Sequence, residues 1–109
     1  MDRLFVPLNS EPFEDFKDGS KSYELRSYGR QYIEKFAYLG RDVELRKGYS
    51  GDSLWGKIGC GEMGTLDEIL CRVDWWKIFP KAGSKEEAIN RIKKIVGIRN
   101  KYLAFEVIR

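Results

Sequence analysis

A chain of 109 residues with 42% hydrophobic and 14% aromatic side chains has the apolar content of a folded domain, which excludes a disordered tract, and no room for a second hydrophobic core. The absence of histidine excludes His-based catalysis and most transition-metal sites, and the two cysteines, Cys60 and Cys71, form no Cys-x-x-Cys pair. The net charge of +3 is uneven, at −3, +3, −2 and +5 over residues 1–18, 19–57, 58–80 and 81–109, which suits a polyanionic partner and equally a lysine-rich solvated surface. The expectation is a single domain over 1–109 with no metal and no cofactor. No apolar run approaches the roughly 20 residues that span a bilayer, and Met1-Asp2-Arg3-Leu4 does not open a signal peptide, so a cytoplasmic protein with no membrane partner is expected, its cysteines buried as thiols.

In chain order, Leu4, Val6 and Leu8 alternate around Phe5 and Pro7, and Pro7 assigns this strand to a sheet edge because it cannot donate to a ladder. A helix of about two turns follows, with Ser10 as its cap, Pro12 in its first turn, Phe13 and Phe16 on one face and Gly19 just past its end. Ser22 to Arg26, Val43 to Arg46 and Leu54 to Cys60 read as strands, the last two joined by the turn-rich Lys47 to Asp52. Thr65-Leu66-Asp67-Glu68 has the pattern of a capping box and predicts a helix to about Val73. Ser84-Lys85-Glu86-Glu87 repeats the box before Ala88, Ile92, Ile95 and Val96 at helical spacing, with Lys85, Lys93 and Lys94 on the wet side. Gly97 ends this helix, and the apolar run Tyr102 to Ile108 predicts a strand buried on both faces.

The most informative segment is Gly19-Ser20-Lys21-Ser22-Tyr23-Glu24-Leu25-Arg26, of the form G-x-K-x-x-E-x-R at a helix-to-strand junction. Gly19 permits a sharp exit from the helix, and Glu24 and Arg26, two apart on a strand, project from the same face about 6.6 Å apart. A carboxylate beside a guanidinium and an ammonium stays ionised and fixes their directions, which suits a phosphate or a base edge; a plain ion-pair network at a strand end has the same spacing. Arg41, Arg46, Lys47 and Lys57, with Tyr49 and Trp55 interleaved, have the composition of phosphate contacts with base stacking, or of a solvated rim. Of the neighbours Trp75 and Trp76, one ring is expected to be partly exposed.

This motif, after a short helix and before a strand, resembles the signature of the ASCH domain. Gly40-Arg41-Asp42 before Val43 is similar to the Gly-Arg-Asp turn common in that family, and the segments Pro80 to Val96 and Tyr102 to Ile108 are similar to its closing turn, helix and strand. The resemblance covers nearly the whole chain and implies an α+β fold, a PUA-like mixed β-barrel of about five to six strands with two to three flanking helices. It implies binding of RNA or a modified nucleotide in a cleft beside the motif, with Lys21, Glu24 and Arg26 at its floor, Tyr23 among the ligand contacts, and Arg46, Lys47 and Tyr49 near its mouth. It also raises a hydrolase reading, in which Lys21 and Glu24 are catalytic toward RNA or an acylated nucleoside. Deacetylating members that act on N4-acetylcytidine use the motif lysine, a threonine where this chain has Glu24, and a glutamate ahead of the last helix. Lys21 matches that pattern, Glu24 does not, and Phe79-Pro80-Lys81-Ala82-Gly83 supplies no acid before Ser84. On this reading Lys21→Ala and Arg26→Ala are expected to weaken binding with little loss of stability.

Overall fold

The computed structural model describes residues 2–109. Strand β1 (Leu4–Leu8) leads into helix α1 (Ser10–Lys17), and β2 (Tyr23–Ser27) follows. A long irregular segment then runs to β3 (Asp42–Lys47) and β4 (Ser53–Gly64). Helices α2 (Leu66–Arg72), α3 (Trp75–Ile78) and α4 (Lys85–Ile95) precede the closing strand β5 (Tyr102–Ile108). The five strands form one mixed sheet in the order β1-β3-β4-β5-β2, parallel between β1 and β3 and antiparallel elsewhere, curled into an open barrel. The α+β architecture is the expected one. Among the described residues it has four helices, because the single-turn α3, which carries Trp75 and Trp76, was not anticipated.

Strand alternation explains how the chain fills both sides of this sheet. Leu4, Val6 and Leu8 of β1, Val43 and Leu45 of β3, Ile58 of β4 and Leu103, Phe105 and Val107 of β5 point into the barrel, where Phe13 and Phe16 of α1 plug it. Leu25, Tyr102 and Ala104 point outward from β2 and β5 and are covered by Ile69, Val73, Ile78 and Ile92 of the helices. The expected single core is therefore divided in two by the sheet, and β5, buried on both faces, is the wall between the halves. The outer face of β1, β3 and the start of β4 has no helix over it. Pro7 lies on an edge strand, as its missing N–H requires.

Several local expectations are corrected. Helix α1 begins one residue earlier, with Asn9 rather than Ser10 as N-cap, and without a side-chain cap bond. Thr65 and Glu68 form the full capping box of α2, whereas at α4 only the Ser84 half is made. Both cysteines are exposed free thiols. Cys71 lies two positions from the buried Ile69, so the helix turns it to the opposite side. Cys60 lies where the β4–β5 register shifts between Ile58 and Gly61. Ile95 is 60% exposed, because α4 lies on the sheet through Ala88 and Ile92 and its last turn overhangs open space. Trp76 is exposed and Trp75 half-buried, as adjacent helical positions require. No helix among the described residues is long and apolar enough to cross a membrane.

Ile92 has no exposed surface and pins α4 to β2 and β5. Ile92→Ala is expected to lower stability by about 2–5 kcal/mol, since the cavity cannot collapse against a sheet, and urea denaturation followed by circular dichroism measures it.

Candidate functional site: a cleft between the two sheet edges

The strand order leaves β1 and β2 as the two edges, and the curl of the sheet brings them to face one another. Side chains bridge the gap in place of a ladder. The Arg26 guanidinium donates from Nη2 to the Pro7 carbonyl at 2.7 Å, and the Gln31 amide donates from Nε2 to the Phe5 carbonyl at 2.9 Å. Arg26 also donates from Nη1 to the Tyr32 hydroxyl at 3.0 Å and lies over that ring, 5.0 Å from its centroid. Tyr32 in turn stacks on Phe105 of the barrel interior at 6.3 Å.

Arg26 is aimed by Glu24, which accepts from its Nε at 2.6 Å through Oε2. The other carboxylate oxygen faces the Lys21 ammonium at 3.3 Å. Lys21 is buried: its Nζ donates to the Ile78 carbonyl at 2.5 Å and lies between the rings of Phe16 and Phe79, 5.2 and 5.3 Å from their centroids. Burial works against the charge of Glu24 but is outweighed by the Lys21 ammonium and the Arg26 guanidinium, which hold its carboxyl below the usual range. Burial pushes the Lys21 ammonium below the usual lysine range, against the opposing pull of Glu24.

A cleft of about 740 Å³ opens over this bridge, lined by Arg26, Tyr28, Arg30, Gln31, Tyr32, Tyr49 and the overhanging Ile95. A smaller recess of about 310 Å³ continues from it past Pro7, Arg26 and Tyr49 to Glu24 and the start of α1. The segment after β2 gives the cleft one wall through a tight turn in which Gly29 and Tyr32 exchange backbone hydrogen bonds. Arg30, at the turn, has φ 52°, a left-handed conformation that costs a non-glycine residue of order 1–3 kcal/mol.

The structure thus brings together Glu24, Arg26 and Tyr49 of the residues singled out in the sequence. Lys21 stands behind Glu24 and is not on the cleft wall. Tyr23 faces the helices with Leu25, because one step along a strand reverses the side, so it is on the opposite face from Glu24 and Arg26. Arg46 lies on the outer sheet face, bound to Glu44 at 2.5 Å, and Lys47 reaches Glu14 at 3.4 Å. Tyr28, Arg30, Gln31 and Tyr32 were missed by sequence reasoning. Their signal was a glycine turn flanked by two tyrosines and an arginine immediately after the motif strand.

The burial of Lys21 reverses the expectation that its removal spares stability. Lys21→Ala leaves the Ile78 carbonyl without its donor and Glu24 with one cation, so a loss of about 3–5 kcal/mol is expected in chemical denaturation. On the outer face, hydrogen bonds from Ser53, Arg3 and Arg46 outweigh burial and hold the Glu44 carboxyl at about 2, against an ordinary 4.5. A depressed carboxyl stabilises the fold fully above its unfolded value, so the contribution of Glu44 is expected to vanish as pH falls from about 4.5 toward 2. Melting temperatures across that window, with Glu44→Gln flattening the slope, measure it.

No family model matches the sequence, and no curated protein matches it either. Solved structures do match the fold. The crystal structure of the hypothetical protein PH0355 is 19% identical over 98% of both chains, with a TM-score of 0.79. The crystal structure of ASCH from Zymomonas mobilis is 14% identical over 96% of this chain and 66% of that one, with a TM-score of 0.65. The solution structure of protein PF0455 from Pyrococcus furiosus is 19% identical over 98% of this chain and 96% of that one, with a TM-score of 0.61. In its strand order, its curled half-barrel and its flanking helices, the chain has the PUA-like fold of the ASCH protein it matches.

Proposed function

We propose that this chain is a cytoplasmic ASCH-type module that binds RNA or a modified nucleotide in the cleft between β1 and β2. The observation that carries the reading is the composition of that cleft. A charged guanidinium, aimed from below by a buried carboxylate, lies among three tyrosines, with the exposed Arg30 and the amide of Gln31 at the wall. Aromatic faces suit the two sides of a base, the amide and phenol suit its edge, and Arg30 suits a phosphate. The left-handed backbone of Arg30 supports the same reading, since such conformations concentrate where a side chain must be presented to a ligand.

The alternative is a hydrolase in which Glu24 moves protons. Two features weigh against it. Both oxygens of Glu24 are engaged by cations, and a carboxyl held below its usual range is a weak base near neutral pH. Lys21, the residue shared with the deacetylating pattern, is packed between two rings behind that carboxylate.

Titration of labelled single-stranded RNA by fluorescence anisotropy tests the reading. Affinity is expected to fall steeply between about 50 and 200 mM salt, in proportion to the few phosphates that are neutralised. Arg30→Gly is expected to weaken binding while leaving the melting temperature unchanged or higher, because glycine relieves the left-handed backbone. Absence of binding at low salt refutes the module. Incubation with N4-acetylcytidine and with the RNA separates the enzyme from the binder: hydrolysis that Glu24→Gln abolishes establishes the alternative.

A further inference from the structure

Among the described residues no helix covers the outer face of β1, β3 and the start of β4, and its side chains are unlike those of a plain solvated strand. Register places Phe5 of β1 opposite Glu44 of β3, and Glu44 opposite Trp55 of β4, so the three stand in one row across neighbouring strands. Two strand spacings separate the aromatic positions by about 9.5 Å. Glu44, between them, is buried under two guanidiniums: Arg3 donates from Nε at 2.9 Å, and Arg46 binds it through Nε and Nη2 while Ser53 donates at 2.6 Å. The same two guanidiniums lie over the Phe5 ring at 5.5 and 4.9 Å. Among the described residues, Arg3 makes no other hydrogen bond, so both its terminal nitrogens remain to be used.

This face runs without interruption into the cleft. Arg46 also donates from Nη1 to the Tyr49 carbonyl, which fixes the turn that carries the Tyr49 ring. That ring is 78% exposed, packs 6.2 Å from Phe5 and lines the cleft on its other side. The Phe5 carbonyl is the one that Gln31 of the cleft wall binds. Beyond Trp55, which is 57% exposed, the face ends at Lys57, Ile108 and Arg109. Three cations of this face, Arg3, Arg46 and Lys57, stand against two carboxylates, Asp42 and Glu44, with Lys57 held by Asp42 at 2.6 Å, while the Arg109 guanidinium is turned to the Phe16 carbonyl at the end of α1.

We infer that this face is the track of a single RNA strand whose nucleotide in the cleft is followed by others stacked on Tyr49 and Trp55, on either side of the guanidinium-covered Phe5. The inference rests on the cleft reading and makes the occupant an oligonucleotide rather than a free nucleoside. The largely exposed rings of Tyr49 and Trp55 accept base faces without regard to sequence, and the free terminal nitrogens of Arg3, held by Glu44 between them, meet the phosphates that join those bases. Glu44 serves this arrangement as a buried anchor: it lowers the net charge of the row but fixes where both guanidiniums point.

The experiment compares two ligands, uridine monophosphate and a fluorescein-labelled uridine oligonucleotide of about eight residues. The oligonucleotide is expected to bind at least about tenfold more tightly, and Trp55→Ala to remove about tenfold of that, equivalent to about 1.4 kcal/mol. Trp55→Phe is expected to restore most of the loss, and neither variant to change the mononucleotide affinity or the melting temperature, since the ring is largely exposed. Equal affinities for the two ligands, or an oligonucleotide indifferent to Trp55→Ala while Arg30→Gly weakens it, overturns the track and leaves the cleft reading standing. Oligonucleotide binding that Trp55→Ala weakens but Arg30→Gly leaves unchanged overturns the cleft reading and, with it, a track that starts in the cleft. A loss of self-association in Trp55→Ala, with RNA binding intact, overturns the track by showing that the face belongs to a second copy of the chain.

Discussion

The bond from Arg26 to the Pro7 carbonyl is the constraint on which the site depends. A curled sheet with β1 and β2 at its edges has unpaired backbone on both, and such edges are either paired, covered or left as templates for another chain. Here they are tied by side chains. Pro7 has no N–H to satisfy, so a guanidinium on its carbonyl completes that stretch of β1, and Gln31 does the same for Phe5. A backbone ladder would have brought the strands to about 4.8 Å and sealed the barrel. The longer reach of an arginine and a glutamine holds the edges apart, and the space left between them is the cleft.

That reach would be without direction if Arg26 were free to rotate. Glu24, two residues earlier on the same face, binds its Nε, and Lys21 holds Glu24 from the far side. Lys21 is itself seated by the Ile78 carbonyl and by rings from α1 and the end of α3. The three charged residues thus form a relay from the packed interior to the open cleft: Lys21 is a structural pin, and Arg26 is both staple and cleft wall. A buried charge stripped of its partner is costly, so the relay is strongly coupled, and its members are expected to respond together rather than additively.

The sheet also sorts the chain's aromatic residues by task. Phe13, Phe16 and Phe105 fill the barrel. Tyr32, stacked on Phe105, carries the interior out to the cleft. Phe5, Tyr49 and Trp55 remain on the side no helix reaches. Covering that side with a fifth helix would have used the same apolar surface for stability; leaving it open places rings and guanidiniums together at the mouth of the cleft, where their chemistry suits a polyanion with flat bases.

Much of this was legible in the amino-acid sequence. The period-two run of β1, the proline that makes it an edge, the capping box of α2, the Ser84 cap of α4 and the doubly buried β5 are local patterns, and local patterns act through geometry spanning only a few residues. The G-x-K-x-x-E-x-R segment likewise showed that Glu24 and Arg26 share a face, whereas Tyr23, expected beside them, lies on the other one. What only the tertiary structure decided is which distant elements those faces meet. Nothing near Arg26 in sequence indicates that its partner is the Pro7 carbonyl, 19 residues earlier, or that Lys21 reaches Ile78 from 57 residues away. The strand order settles both, because it sets β1 against β2 across the opening and lays α3 over the start of β2. It also decided that Ile95 overhangs a cleft rather than a core and that the turn at Arg30 is a wall rather than a loop. Such contacts are nonlocal, and their positions follow from how the whole sheet curls, which no short stretch of sequence encodes.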